Sequence, residues 1–188
     1  MNVTAELTHE HDAILVALEI LERICRRIDD GGEFPAEDLS AILDFLRNFA
    51  DGCHHAKEEQ HLFPALNAAG LPAEGGPVGV MLAEHDLGRK YIREMAAALG
   101  GDGSPASPGA FARSARAYAN LLRAHIRKEN TVLFPMAERF IPPATKARIG
   151  EAFARLEEEK TGKGVHDRYH AMLRDLGARY AAEVPHAD

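Results

Sequence analysis

Several features that would place this chain in a special class are missing from its 188 residues. No run of 18 apolar residues occurs, so the sequence predicts no membrane-spanning helix. There are only two cysteines, Cys25 and Cys53, and one possible pair cannot build a disulfide framework. Lys and Arg number 22 against 29 Asp and Glu, and the resulting charge of −7 argues against a general binder of nucleic acid.

The motifs of several enzyme classes are also absent. There is no Walker loop, no GxSxG elbow and no H-E-x-x-H, so nucleotide binding, serine hydrolysis and zinc proteolysis find no support. The N-terminal residues MNVTAELTHEHD lack the basic stretch and apolar core of a secretory signal. We therefore expect a cytoplasmic protein with two reduced thiols.

What the sequence does contain is a succession of predicted helices. No convincing alternation of apolar and polar residues predicts a strand, and turns rich in glycine and proline separate helical segments. The predicted segments are 4–29, 36–67, 78–99, 108–138, 144–160 and 165–183.

The lengths of these segments predict an all-α fold. Four long segments with short connections are typical of an up-down-up-down four-helix bundle, which we assign to residues 1–140. The two shorter segments form two additional C-terminal helices, residues 141–188, which we expect to pack on the bundle.

Histidine and glutamate form an internal repeat within the four long segments. Each half reads E-H-D and then H-x3-E-x3-L-F-P, and the second histidine follows the first by 43 positions in the first half and by 40 in the second. A helical hairpin is therefore repeated, and two copies pair into the bundle. The repeated residues are His11, His54 and Glu58 in the first half and His85, His125 and Glu129 in the second.

These six side chains lie within apolar stripes, so the spacing predicts that they face the bundle interior. No Lys or Arg lies in the stripes that we identified. An unpaired buried carboxylate costs several kcal/mol, and two such costs approach the whole stability of a domain. A metal centre would neutralise both carboxylates and use the imidazole lone pairs.

Six ligands are many for one ion and natural for two. We expect His11 and His54 to serve one ion, and His85 and His125 to serve the other. Glu58 and Glu129 can each bridge the pair. Mixed imidazole and carboxylate donors suit iron, manganese or zinc. This arrangement leaves coordination positions open for a small molecule.

The paired motifs resemble those of the hemerythrin-like family, also called the HHE cation-binding domain. The resemblance runs from about Glu6 to Pro135 and implies a four-helix bundle that holds two non-haem iron ions. It assigns the same six ligands, with Glu58 and Glu129 as bridges. Oxygen-carrying hemerythrins have a further histidine one turn after the third-helix ligand, where this chain has Arg89. They also use Asp where this chain has Glu129.

The resemblance implies a centre that binds O2, nitric oxide or peroxide, in sensing, storage or detoxification. Two alternatives stay open: a redox enzyme that turns over peroxide or nitric oxide, and an iron-handling protein. Zinc or manganese could replace iron at the same ligands. We expect no nucleic-acid or membrane partner, and the sequence leaves the oligomeric state open.

A few other residues could take part. His55 is the best candidate for an extra ligand, although a rotation of about 100° from His54 favours an exposed side chain. Tyr118 could donate to a bound small molecule or simply pack in the core. The pair His166 and His170 has metal-ligand spacing but only two ligands in view. We expect Cys53 to be a small core residue, and His9 and His61 to lie on the surface.

Overall fold

The computed structural model describes residues 3–73, 75–100, 105–160, 162 and 164–181, and every regular element in these ranges is helical. The predicted all-α fold with two additional C-terminal helices is confirmed. The division at residue 140 stays a prediction. The six helices are α1 (Val3–Asp29), α2 (residues 36–68), α3 (Pro77–Ala98), α4 (residues 108–140), α5 (Pro143–Lys160) and α6 (Val165–Ala181).

The helix ends lie within two residues of the predicted ones wherever the structure describes them. Predicted residues 182 and 183 of α6 lie outside the described ranges. Helix α1 ends where Gly31 adopts a left-handed backbone with φ of 78°, which lets the Gly31 and Gly32 amides donate to the carbonyls of Ile28 and Arg27. Among the described residues, no helix is both long and apolar enough to cross a membrane.

Helices α2 and α4 are not regular α-helices throughout. Helix α2 contains π-helical segments at Leu46–His55 and Glu58–Leu62, and α4 contains one at Glu129–Leu133. Such wider turns are rare and occur frequently at functional sites. The L-F-P motif of each half ends the π segment, with Pro64 and Pro135 in the first turn of the α-helix that follows. A proline is tolerated there because its missing N–H falls at the junction.

The core consists of two apolar clusters with the repeated histidines and glutamates between them. The larger cluster gathers residues such as Ile14, Phe45, Tyr118 and Leu176 from α1, α2, α3, α4 and α6. The smaller cluster joins the other end of the bundle to α5 through Phe153. A buried polar layer therefore crosses the bundle between two apolar ends.

Candidate metal centre

The structure brings the six predicted residues together inside the bundle. Each is at most 1% exposed, and each of the four bundle helices contributes at least one. They are His11 on α1, His54 and Glu58 on α2, His85 on α3, and His125 and Glu129 on α4.

The polar layer forms two groups of possible ligand atoms, each spanning no more than 4.8 Å. One group contains His11, His54, Glu58 and Glu129. The other contains His55, His85, His125 and Glu58. We call these the α1 subsite and the α3 subsite, after the helices of His11 and His85. Glu58 belongs to both, as expected of a bridging carboxylate.

Each carboxylate lies between imidazoles from the two halves of the repeat. The Glu129 oxygens approach Nε2 of His11 at 3.1 Å and Nε2 of His125 at 3.2 Å. Glu58 Oε2 lies 3.8 Å from Nε2 of His54 and 3.5 Å from Nε2 of His85. The two glutamates therefore span the gap between the subsites.

The outer nitrogen of each imidazole has a hydrogen-bond partner. Nδ1 of His54 donates to Glu10 at 2.8 Å, and Nδ1 of His125 donates to Glu84 at 2.8 Å. The remaining Nδ1 donors are those of His11 to Asn130 (2.9 Å), His85 to Glu59 (2.6 Å) and His55 to Asp51 (3.3 Å). This tautomer leaves the Nε2 lone pairs aimed at the centre, as metal ligation requires.

The inner atoms of the layer are acceptors that face other acceptors. Within the described part of the chain, both oxygens of Glu58, both of Glu129, and Nε2 of His11 and His55 lack hydrogen-bond partners. Burial and the charge of Glu129 raise the pKa of Glu58 well above its usual value. Cations would satisfy these atoms together.

The hydrogen bonds to the outer nitrogens follow a cross-helix rule that the sequence analysis missed. The glutamate of each E-H-D motif, Glu10 or Glu84, binds the histidine of the following helix instead of its own neighbour. The aspartates of the motif, Asp12 and Asp86, are exposed. The repetition of E-H-D itself was the signal that could have identified these glutamates.

The interpretation of His55 as an exposed side chain is wrong. His55 is 3% exposed, and its ring stacks on that of His85 at 3.9 Å. A rotation of about 100° would turn His55 away from a single centre, but α2 lies between two subsites. His54 faces the α1 subsite and its neighbour His55 faces the α3 subsite, at the end of a π segment.

A buried lysine that the apolar stripes did not predict lies beside the polar layer. Lys57 is fully buried and donates to Glu10 at 2.5 Å, Glu6 at 2.7 Å and Glu157 at 3.0 Å. Burial alone would raise the pKa of Glu10, but His54 and Lys57 outweigh it and lower that pKa to about 2. Lys57 therefore neutralises Glu10 and leaves Glu58 and Glu129 to be neutralised otherwise.

The other sequence candidates lie outside the two subsites. His166 contacts Glu157 and the ring of Phe49, and it forms no metal-ligand group with His170. His9 is largely exposed, and His61 is half-buried. Cys53 is buried, free and part of the core.

Comparison with known proteins agrees with the geometry of the polar layer. A family model described as the hemerythrin HHE cation binding domain matches residues 2–137. Uncharacterized proteins of Mycobacterium tuberculosis and Mycobacterium bovis are 28% identical to this chain over 179 residues, which is 92% of this chain and 69% of each relative. No solved structure matches this chain.

Proposed function

Because this chain belongs to the hemerythrin HHE cation-binding domain family, we propose that it holds two iron ions and presents them to a small ligand. The α1 subsite would use His11 and His54, and the α3 subsite would use His55, His85 and His125. Glu58 and Glu129 would bridge the two ions.

The observation that supports this proposal most strongly is the cluster of acceptors without donors. Four carboxylate oxygens of two fully buried glutamates lack partners among the described residues, and imidazole nitrogens face them within 4 Å. Keeping both glutamates ionised in this buried layer would cost several kcal/mol each unless a cation neutralised them. Imidazole and carboxylate donors fit iron, and they also fit zinc or manganese.

The chain's own residues fix the donors and exclude water. Five Nδ1 hydrogen bonds hold the imidazole rings with their Nε2 atoms inward. The apolar clusters on both sides of the polar layer keep it dry, which strengthens electrostatic interactions there. Bound iron would supply redox chemistry and open coordination positions for O2, nitric oxide or peroxide.

The α1 subsite is the one that we expect to accept the small ligand. It has two histidines where the α3 subsite has three. Glu58 belongs to both groups, and Glu129 of the α1 group also approaches His125 of the α3 subsite at 3.2 Å. Fewer protein donors leave more room in the coordination sphere.

The free thiols of Cys25 and Cys53 fit a reducing compartment, and we propose that the protein is cytoplasmic.

Metal content tests the proposal directly. We would purify the protein from iron-replete cells and measure bound metal by element-resolved mass spectrometry. We expect about two irons per chain, and much less in the Glu58→Gln, Glu129→Gln double variant, which keeps the shape of both side chains. One zinc per chain, or no metal at all, would contradict the two-iron centre.

Ligand experiments on the iron-loaded protein test the chemical role. We expect nitric oxide to bind in proportion to the protein and to change the absorption spectrum reversibly. Sustained consumption of excess peroxide would instead assign a redox enzyme. Loss of iron to a weak chelator without loss of helical structure would assign iron handling.

A further inference from the structure

Arg89, on α3, donates hydrogen bonds to two of the carboxylates beside the α3 subsite. We propose that Arg89 is a positioning residue that fixes the His55 and His85 imidazoles and so sets the metal affinity of the α3 subsite. This inference rests on the proposed metal-binding function.

The contacts form two short chains that start at one guanidinium group. Arg89 donates through Nε to Asp51 at 2.8 Å, and Asp51 accepts from Nδ1 of His55 at 3.3 Å. Arg89 also donates through a terminal nitrogen to Glu59 at 2.6 Å, and Glu59 accepts from Nδ1 of His85 at 2.6 Å. One side chain therefore fixes the partners of two imidazoles on different helices.

The positions of the two carboxylates on α2 explain why a guanidinium is needed. Asp51 and Glu59 lie one turn on either side of His55, and each is about a quarter exposed. Without a cation between them, both could turn toward solvent and leave the imidazoles unheld. The planar guanidinium has separate donors for each carboxylate, whereas a lysine ammonium is a single compact charge. A third contact, to Asp86, lies on the exposed surface.

The other half of the repeat has no such clamp. The repeat aligns Arg89 with Leu15, His55 with Ile126 and Asp51 with Leu122. The α1 subsite instead holds His11 through Asn130 and His54 through Glu10, and neither partner contacts Arg89 in the described structure. Loss of Arg89 should therefore weaken one subsite and spare the other.

The test compares metal binding by Arg89→Gln with that of the wild type. We would titrate metal-free protein with Fe²⁺ under anaerobic conditions and measure bound iron by equilibrium dialysis. We expect two ions in the wild type, and in Arg89→Gln one ion of unchanged affinity and a second weakened about 10- to 100-fold. Arg89→Lys should weaken the second ion too, because one ammonium cannot bind both carboxylates in the same geometry.

Arg116→Gln is the matched control. Arg116 is 38% exposed against 29% for Arg89, and it also links two bundle helices, through an ion pair with Asp29. We expect this control to bind two ions like the wild type. In the metal-free proteins, the Nδ1 chemical shifts of His55 and His85 should change in Arg89→Gln and not in Arg116→Gln.

The outcomes separate this inference from the proposed function. Two ions bound with wild-type affinity in Arg89→Gln would overturn the role of Arg89 and leave the metal centre intact. Equal weakening of both ions would also overturn it, since the effect would then be global. A wild-type chain that binds no metal would overturn the proposed function, and this inference with it.

Discussion

Hydrogen bonds at the outer imidazole nitrogens orient the histidine rings so that their Nε2 atoms face the centre of the polar layer. A buried histidine with a free Nδ1 could turn its ring or donate through Nε2 to a carboxylate. The carboxylates of Glu10, Glu84 and Glu59 prevent this by accepting from Nδ1. The inward Nε2 atoms are then acceptors, and a cation can bind several such acceptors at once.

At the same scale, the sequence predicted the inner residues better than their partners. Spacing within one helix places His54 and Glu58 on one face, so the repeat identified the six central residues. Glu10 binds a histidine 44 positions away, on another helix. Helical spacing does not encode such a contact. Proximity in sequence is no guide either, since Asp12 is next to His11 in the chain and is exposed.

The hydroxyl of Tyr118 is fully buried and has no hydrogen-bond partner in the described structure. An unsatisfied buried hydroxyl costs about 1–3 kcal/mol, so Tyr118→Phe should raise the free energy of unfolding of the metal-free protein by about 1 kcal/mol. Tyr180→Phe is the matched control, because the Tyr180 hydroxyl donates to Asp38 at 2.6 Å. That variant should lose about 1–2 kcal/mol in the same urea titration. A comparable loss in Tyr118→Phe would show that its hydroxyl has a partner.

Both cysteines should be unreactive in the folded protein. Cys25 and Cys53 are at most 1% exposed, and burial raises the pKa of Cys25 to about 11 and that of Cys53 to about 12. The reactive thiolate is therefore scarce at pH 8. A chromogenic disulfide reagent should label almost no thiol in minutes under native conditions and two thiols in denaturant. Rapid labelling of one native thiol would contradict this expectation.

Among the elements, α2 departs most from its prediction. Its bounds were predicted to within one residue because Pro35 and Gly70 stand beside its ends, but the π segments were not foreseen. Hydrophobic periodicity averages over a helix and does not register a local change from i→i+4 to i→i+5 bonding. That change occurs where His54, His55 and Glu58 must face two subsites.

The elements of the two halves also differ in how they bury an equivalent lysine. Lys57 on α2 and Lys128 on α4 occupy the same repeat position, and each pairs with the glutamate of an E-H-D motif. Helix α5 adds Glu157 on the side of Lys57, which is fully buried, whereas Lys128 is 38% exposed. The C-terminal helices thus distinguish two otherwise similar lysines.

Removing these two lysines should therefore have unequal effects. Lys57→Met leaves Glu10 buried beside Glu6 and Glu157 without a cation, and it should lower the free energy of unfolding by about 3–5 kcal/mol. Lys128→Met removes a half-exposed ion pair and should cost about 1 kcal/mol or less. Urea unfolding of the metal-free variants measures both. Equal losses would mean that α5 does not increase the burial of Lys57 in solution.

For the whole molecule, the sequence predicted the bundle and its pseudo-symmetry but not the asymmetry of the centre. Four long segments and a repeated motif suffice to predict the bundle and its pseudo-symmetry. The asymmetry of the centre arises because the repeat aligns His55 of the first half with Ile126 of the second, and Leu15 of the first half with Arg89 of the second. It also depends on the contacts that α5 and α6 make with the bundle. The effect of these sequence differences on the two subsites depends on contacts between helices, which the sequence alone does not give.

Glu58 should destabilise the metal-free protein and stabilise the metal-loaded one. In the metal-free protein Glu58 is a fully buried carboxyl without a hydrogen-bond donor among the described residues. Glu58→Gln should leave the free energy of unfolding of metal-free protein unchanged or raise it by up to about 2 kcal/mol. The same substitution removes a shared ligand of both subsites, so the variant should lose most of its stabilisation by added metal.

Thermal unfolding with and without Fe²⁺ under anaerobic conditions measures both effects. Wild-type protein should gain about 4 kcal/mol when free metal exceeds the dissociation constant a thousandfold, because the folded state alone has the assembled site. Glu138→Gln is the control, since Glu138 pairs with Lys146 in a partly exposed position and belongs to neither subsite. It should keep the full response to metal. A large loss of metal-free stability in Glu58→Gln, with the metal response intact, would show that Glu58 supports the fold and does not bind metal.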